Sequence, residues 1–386
     1  MTFDVTLFGA TGFTGSLTAE YLARNLPFGA SWAVAGRDAD KLEALVDSLE
    51  AAGGVKPSIV IADVSRWPTV KAMADNTRVL ISTVGPYLQY GEPVVKAAAI
   101  AGINYVDLTG EPQFVDEMWL KYHEVAKASG ARLVHACGFD SIPYDLGVLH
   151  TVRQLPQKTP ITIRGYIRSQ AAFSGGTYAS ALNQMSNLGG AKKAAKARRK
   201  MEQRPKDRKG RGGGSIGAAA EPLQGWGAPL PTIDPQIVLR SARALDSYGP
   251  NFSYEHYAHF HKRRTLAAAV PMLAAVAAGS QLGPVRKMLG SMRAPGDGPS
   301  EAQRAKSWFE LSLVAEAGDV RLLTVVKGGD PGYTETSKML AESAMCLAFD
   351  KLPKTSGQLT TAMAMGPALI TRLQHAGIDF STRELD

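Results

Sequence analysis

At 386 residues the chain exceeds the length one hydrophobic core usually serves, so two domains are expected. Its composition, 45% hydrophobic and 20% charged, is that of a soluble globular protein, and two cysteines, Cys137 and Cys346, exclude a disulfide framework or a cysteine-built metal site. The net charge of +8 is local: residues 192–211 hold eleven basic residues against Glu202 and Asp207, and the rest of the chain is close to neutral. The N-terminus has no basic leader or cleavage pattern, because its first apolar run already reads as a strand, so a cytoplasmic location is expected.

That run, Phe3–Phe8, leads directly into Gly9-Ala10-Thr11-Gly12-Phe13-Thr14-Gly15 and then a helical stretch to Asn25. A strand feeding a glycine-rich turn that opens a helix presents backbone N–H groups to a pyrophosphate. The spacing is one residue wider at the front than the usual dinucleotide fingerprint. Gly9, Gly12 and Gly15 would permit close backbone approach and tight helix packing, while Thr11, Phe13 and Thr14 supply N–H groups. The second strand, Ser31–Ala35, ends in Gly36-Arg37. A carboxylate there would repel a 2′-phosphate and a guanidinium attracts it, so the expected cofactor is NADP(H), gripped by Arg37 with Lys41 one helical turn on.

Asp38–Ala52 has helical periodicity and stops at Gly53-Gly54. Strand three, Ser58–Ala62, closes on Asp63-Val64, expected beside the adenine; a helix N-cap is the competing role for Asp63. Strand four, Arg78–Thr83, closes on Val84-Gly85-Pro86-Tyr87, so Thr83–Tyr87 should flank the nicotinamide ribose. A helix at Pro93–Ala101, a strand at Tyr105–Leu108, a helix at Gln113–Ala128 and a strand at Arg132–Ala136 follow, the last opening into Cys137-Gly138-Phe139-Asp140-Ser141-Ile142-Pro143. This alternation predicts an α/β, Rossmann-type doubly wound parallel sheet over residues 1–150. Ligands lie outside the carboxyl ends of such strands, so the loops at 9–15, 36–37, 63–64, 82–87 and 137–143 should border one cleft, with Gly138 and Phe139 among the cofactor contacts.

Residues 151–333 change pattern and are expected to form a second, α+β substrate domain, with the stretch 334–386 packing back on the first. Strands are expected at Ile161–Ser169, Ile237–Ala242, Phe252–His259, Ser307–Ala315 and Asp319–Lys327, and a helix at Thr334–Phe349. The basic, glycine-rich segment 190–220 reads as a mobile loop. Three roles stay open for it: a solvated loop, a dock for an acidic carrier protein or a phosphopantetheine phosphate, and a contact for nucleic acid or an anionic membrane. No interleaved aromatics support nucleic acid. Residues 265–285 carry no charge and lie between basic clusters. A buried or oligomer-facing helix, membrane-surface or lipid contact, and a membrane span are the readings of that segment.

Thr6–Gly15, Ala35-Gly36-Arg37, Thr83–Tyr87 and Tyr105-Val106-Asp107-Leu108-Thr109-Gly110-Glu111 together resemble the saccharopine dehydrogenase-like oxidoreductases. Gly138–Pro143, Ser174-Gly175-Gly176-Thr177, Asp330-Pro331-Gly332-Tyr333 and Met339–Ala344 are similar to the branch containing the actinobacterial trans-acting enoyl reductases of polyketide lipid synthesis. The likeness spans nearly the whole chain. It implies an NADP(H)-dependent reductase of a carbon–carbon double bond in an acyl chain, borne by a carrier protein or coenzyme A.

Such a reaction needs a hydride at Cβ, support for the developing enolate oxygen and a proton at Cα. The catalytic candidates are Tyr87 as proton donor or carbonyl ligand, Ser141 as an orienting hydroxyl, and Asp140; stacking by Tyr87 and helix capping by Asp140-Ser141 are the structural alternatives. Tyr144, Gly176, Thr177 and Tyr178 are expected against substrate. His256, His259 and His261 lack metal-ligand spacing, and no metal is expected. A saccharopine-type imine reductase, with Arg164 and Arg168 holding carboxylates, and a non-catalytic NADP-binding, lipid-associated protein are the competing functions. A homo-oligomer is an open expectation.

Overall fold

A computed structural model describes residues 3–171, 188–203, 205–280 and 298–386. Its first sheet is parallel, seven strands in the order β3-β2-β1-β4-β5-β6-β14. These are β1 (Phe3–Phe8), β2 (Trp32–Gly36), β3 (Ser58–Ile61), β4 (Thr77–Ser82), β5 (Asn104–Asp107), β6 (Arg132–Val134) and β14 (Gly357–Leu359). Every residue of β2 is buried, because helices cover both faces of a parallel sheet and leave no solvent side to alternate toward. Val5 of β1 pairs with Trp32 on one side and Val79 on the other, so the chain reverses its winding at β1. That reversal opens the ligand crevice of a doubly wound sheet.

Helices α1 (Phe13–Asn25), α2 (Ala39–Ala51), α3 (Trp67–Asp75), α4 (Tyr87–Tyr90), α5 (Glu92–Ala101) and α6 (Pro112–Ser129) connect these strands. Next comes α7 (Ile142–Val152), ten of whose eleven residues are buried. A helix apolar all round needs cover on every side. Part of it comes from β12 (Trp308–Ala317) and β13 (Val320–Gly328) of a second sheet, and part from the helices at Asp234–Ala244 and Gly366–His375.

The second sheet has eight strands, in the order β15-β13-β12-β7-β11-β10-β9, with β8 beside β11. They are β7 (Ile161–Gln170), β8 (Lys209–Gly213), β9 (Gly217–Ala218), β10 (Trp226–Pro229), β11 (Asn251–Phe260), β12, β13 and β15 (Asp379–Leu385). The pair β7–β11 is parallel and β7–β12 antiparallel, so this sheet is mixed. One continuous apolar core runs from Val5 and Leu7 through Leu146 to Leu311 and Leu313.

The segment 190–220 is not a loop. Residues Leu188–Met201 form helix α8, and β8 and β9 follow. Its basic composition concealed one buried member: Arg198 is 4% exposed, with Nε 2.6 Å from Asp116 Oδ1 on α6. The expected strand at Ile237–Ala242 is instead part of helix α9 (Asp234–Ala244). Pro235 opens it, and Ile237, Val238, Ser241 and Ala242 fall on its buried face at helical spacing.

Residues Arg263–Ser280 form helix α10, which contains Pro271. Among the described residues no helix is long and apolar enough to cross a membrane; residues 281–285 of the uncharged segment lie outside them. Helices α11 (Glu301–Arg304) and α12 (Thr334–Phe349) follow, and α12 packs against α1 and β4. Beyond it β14 adds to the edge of the first sheet, pairing Gly357 with Arg132. The end of the chain therefore contributes to both sheets, β14 to the first and β15 to the second.

Candidate functional site

The glycine-rich turn is held by contacts only glycines allow. Gly9 has φ +89°, and a Cβ there would stand 2.7 Å from Thr83 Oγ1. A Cβ on Gly15 would stand 2.2 Å from the Gly9 carbonyl oxygen. Thr83 fastens the end of β4 to this turn: its N–H donates to Phe8 O at 2.9 Å and its hydroxyl to Gly9 O at 3.0 Å. Helix α1 starts behind Gly12 with no side-chain cap and no acidic residue in its first turn. Its first N–H groups and the positive end of its dipole, at Thr11–Thr14, are left to an anion.

Parts of the chain far along the sequence reach this turn. The Phe13 ring meets Tyr333 edge-on at 4.9 Å and lies against Gly298 so tightly that a Cβ there would overlap it. The Arg304 guanidinium sits 5.6 Å from the Phe13 ring centroid, donates to Pro299 O at 2.8 Å and keeps a buried Nε without a partner. Ser337 Oγ donates to Thr14 O at 3.3 Å.

Arg37 follows β2 directly, exposed, with no carboxylate paired to it among the described residues. Gly36 behind it packs on Leu42. Lys41 lies 3.3 Å from Asp38, the residue that caps α2, so its charge is partly spent there. Asp63 Oδ1 accepts from the N–H and hydroxyl of Ser65, both at 2.8 Å, which makes a turn and not a helix N-cap. Those bonds, with the Arg37 and Arg66 charges nearby, hold the Asp63 carboxyl below its usual range. Val64 packs with the apolar cluster under α3 and α5, and Val84 sits beside Gly9. A positive-φ glycine turn, an uncapped helix start and an unpaired arginine beyond β2 fit a dinucleotide carrying a 2′-phosphate.

Tyr87 is not placed as a proton donor. Its hydroxyl donates to Ser82 O at 2.9 Å and accepts from Leu108 N at 3.2 Å. Burial, with the Asp107 charge next, pushes it far above the ordinary tyrosine range. Its role is positional, and it shares that role with Glu111, whose carboxylate accepts the N–H groups of Tyr87 and Leu88, both at 3.0 Å. Asp107 ties neighbouring strand ends together, accepting from Thr109 N and Ala136 N at 3.1 Å and lying 2.6 Å from His135 Nδ1. These bonds set the Gly85-Pro86 and Gly138 loops relative to each other. Gly138 packs against Leu108 and Thr336, and Phe139 N donates to Thr336 Oγ1 at 3.0 Å.

The chemistry converges on Asp140. Its Oδ2 would stand 3.0 Å from a Cβ on Gly110, and it is only partly covered, so it lines a recess. Burial by the surrounding protein, and then the charge of Asp234, push its carboxyl up to about 7. Asp234 opens α9 at 1% exposure and is raised by burial, against the opposing effect of Thr232 Oγ1, which donates to it at 2.6 Å. His256 on β11 has Nε2 at 3.6 Å from Asp234 Oδ2, and burial lowers it to about 4, so the ring is neutral near pH 7. Its Nδ1 lies 3.2 Å from Tyr254 Oη, and its ring meets Tyr144 edge-on at 4.8 Å. Ser141 Oγ, Asp234 Oδ1 and His256 Nε2 are buried together, and the Ser141 hydroxyl faces the Asp234 carboxylate, which opposes the rise that burial causes there. Buried polar atoms with loose or missing partners around one carboxyl pair mark a place where a polar ligand group belongs.

Ser141, Asp140 and Tyr144 are thus brought together, whereas Gly176, Thr177 and Tyr178 lie outside the described residues. Asp234, His256 and Arg304 escaped the sequence reading. Asp234-Pro235 is a helix-start signal that the apolar run behind it disguised, and His256 and Arg304 have no local signal at all.

A family model for the NADP-binding domain of saccharopine dehydrogenase matches residues 5–134. A trans-acting enoyl reductase of Mycobacterium ulcerans is 34% identical over 418 residues, covering 99% of this chain and 98% of that protein. Its counterpart in Mycobacterium tuberculosis is 33% identical over 420 residues with the same coverage. The apo saccharopine dehydrogenase (L-Glu forming) of Saccharomyces cerevisiae shares the fold, with TM-score 0.58, 12% identity and 99% coverage of both chains. The chain therefore belongs to the saccharopine dehydrogenase-like oxidoreductases, in the branch of the trans-acting enoyl reductases, and is an NADP-dependent oxidoreductase.

Proposed function

We propose that the protein reduces the carbon–carbon double bond of an enoyl thioester. The observation that carries this reading is the Asp140–Asp234 pair behind the strand ends that receive the nicotinamide half of a dinucleotide, where burial and the neighbouring charge raise the Asp140 carboxyl well above its ordinary range. When bound, NADPH supplies the hydride that ends on Cβ. Gly9, Thr11, Gly12, Phe13, Thr14 and Gly15 hold its diphosphate, Gly36 and Arg37 its 2′-phosphate with Lys41 as a minor partner, and Asp63 and Val64 border the adenine. Thr83, Val84, Gly85, Pro86, Tyr87, Gly138 and Phe139 frame the nicotinamide end.

Asp140 gives its carboxyl proton to Cα as the enolate collapses, and the carboxylate regains a proton from solvent through the recess. Asp234 keeps that proton in place by making a second negative charge costly. The buried Ser141 hydroxyl, which faces Asp234 and makes no close hydrogen bond in the protein, donates to the thioester oxygen where charge develops. Tyr144 and neutral His256 wall the site.

The imine-reductase reading loses support from its own residues. Arg164 lies 3.1 Å from Glu316 and 3.5 Å from Glu255, and Arg168 lies 3.8 Å from Glu310, so neither cation is left for a substrate carboxylate. The test is NADPH oxidation with a panel of enoyl thioesters beside amines paired with oxo acids. Turnover of the enoyl thioesters alone is expected; turnover confined to the amine and oxo acid would overturn the assignment.

A further inference from the structure

Helix α8 carries Lys192, Lys193, Lys196, Arg199 and Lys200, all exposed. At 3.6 residues per turn these five fall within an arc of about 120°, a third of the helix circumference. The opposite side holds Ala194 and Arg198, which are buried. None of the five forms an ion pair among the described residues, although Lys41, Lys56, Lys71 and Lys121 elsewhere on the surface each sit beside a carboxylate. Like charges three and four apart repel along a helix by a few tenths of a kcal/mol per pair, roughly the size of a favourable pair. The ridge therefore holds repulsion that an anionic partner would relieve.

The ridge is also fixed in relation to the recess. Asp116 Oδ1 lies 2.6 Å from Arg198 Nε and accepts from Gln236 Nε2 at 2.8 Å. Gln236 belongs to α9, two residues beyond Asp234. Arg240, one turn further on, is 3.9 Å from Glu202 and donates to Gln358 O at 3.2 Å. One buried carboxylate oxygen thus joins the helix bearing the cations to the helix that begins with Asp234. Whatever docks on the ridge is held at a set position beside the site.

We propose that the α8 ridge docks an acidic carrier protein that presents the enoyl chain to the Asp140 recess, an inference that rests on the enoyl-reductase reading. A protein surface rich in carboxylates matches a narrow stripe of unpaired cations, and such complementarity steers encounter and fixes register. A bilayer is the poorer fit, because surface-binding helices bury an apolar face and that side of α8 is already packed on α6. Nucleic acid is also a poor fit, since no aromatic side chain lies in the arc for bases to stack on.

The test compares the wild type with K192E/K196E/K200E and with the neutral K192Q/K196Q/K200Q, using anisotropy of a labelled acidic acyl-carrier protein across a salt series. Binding by the wild type that weakens with salt is expected, with a loss of about tenfold or more in the reversed variant and a smaller loss in the neutral one. In parallel, kcat/KM should fall for an enoyl chain on that carrier while the same chain on pantetheine is turned over as before. Equal binding by all three proteins would overturn the proposal. So would capture of phosphatidylglycerol vesicles or duplex DNA, but not the carrier, through these lysines. Carrier binding without reduction of either thioester would instead retain the docking surface and sink the enoyl-reductase reading. Unchanged NADPH affinity and melting temperature in the variants show that the fold is intact.

Discussion

Gly15 lies so close beneath Gly9 that a Cβ on Gly15 would stand 2.2 Å from the Gly9 carbonyl oxygen. Both partners are backbone, so no rotamer relieves the clash, and the start of α1 would have to move off the turn. Gly15→Ala is expected to raise the NADPH dissociation constant by about tenfold or more and to cost about 1–3 kcal/mol of stability. Fluorescence titration and thermal unfolding read the two effects. An unchanged affinity would mean the turn does not hold the diphosphate.

Arg37 contributes to one coenzyme only, because only NADP(H) carries a 2′-phosphate. Arg37→Glu should weaken NADPH by about 100-fold and NADH by less than about threefold, the range of a charge-assisted bond replaced by repulsion. Since Arg37 is exposed, raising salt should shrink the wild-type preference. Equal weakening of both coenzymes would remove Arg37 from the 2′-phosphate.

Most of the alternating strands and helices of the first 150 residues were legible because each strand is a short apolar run closed by a glycine, aspartate or proline signal; the short helix α3 was missed. The cofactor turn was legible for the same reason: Gly9, Gly12, Gly15 and Arg37 form a local pattern. The rest depends on contacts distant in sequence. Asp234 and His256 reach Asp140 only after β11 and α9 pack beside the Gly138 loop, and β14 joins the first sheet from more than two hundred residues away. Tyr87 looked free for chemistry because its acceptor, Ser82 O, and its donor, Leu108 N, are backbone groups that composition does not reveal. The basic segment misled similarly, since only the buried partner Asp116 distinguishes Arg198 from the solvated cations around it.

Arg304 complements Arg37. It stands over Phe13 at the start of α1, the turn proposed above to hold the diphosphate that both coenzymes share. Arg304→Ala should therefore raise the dissociation constants of NADPH and NADH by the same factor, about three- to tenfold, with Arg304→Lys retaining part of the affinity. A selective effect on NADPH, or none on either coenzyme, would show that the arginine only braces the 298–304 segment.

The Asp140–Asp234 pair makes a pH signature with a definite sign. As a proton donor Asp140 must be protonated, so turnover should fall as pH rises through its value of about 7. Asp140→Asn is expected to lower turnover by about 100-fold and to abolish that alkaline limb. Asp234→Asn removes the neighbouring charge, lets Asp140 ionise more easily, and should move the limb to lower pH. Stability gives a readout independent of chemistry. The folded protein holds the Asp140 proton to higher pH than an unfolded chain does, near 3.9 for an ordinary aspartate, so this group's contribution is full below about 4 and is lost as pH rises to about 7. Asparagine has no proton to lose. The melting temperature of Asp140→Asn should therefore gain on the wild type across that window, and parallel profiles for the two proteins would place the raised carboxyl elsewhere.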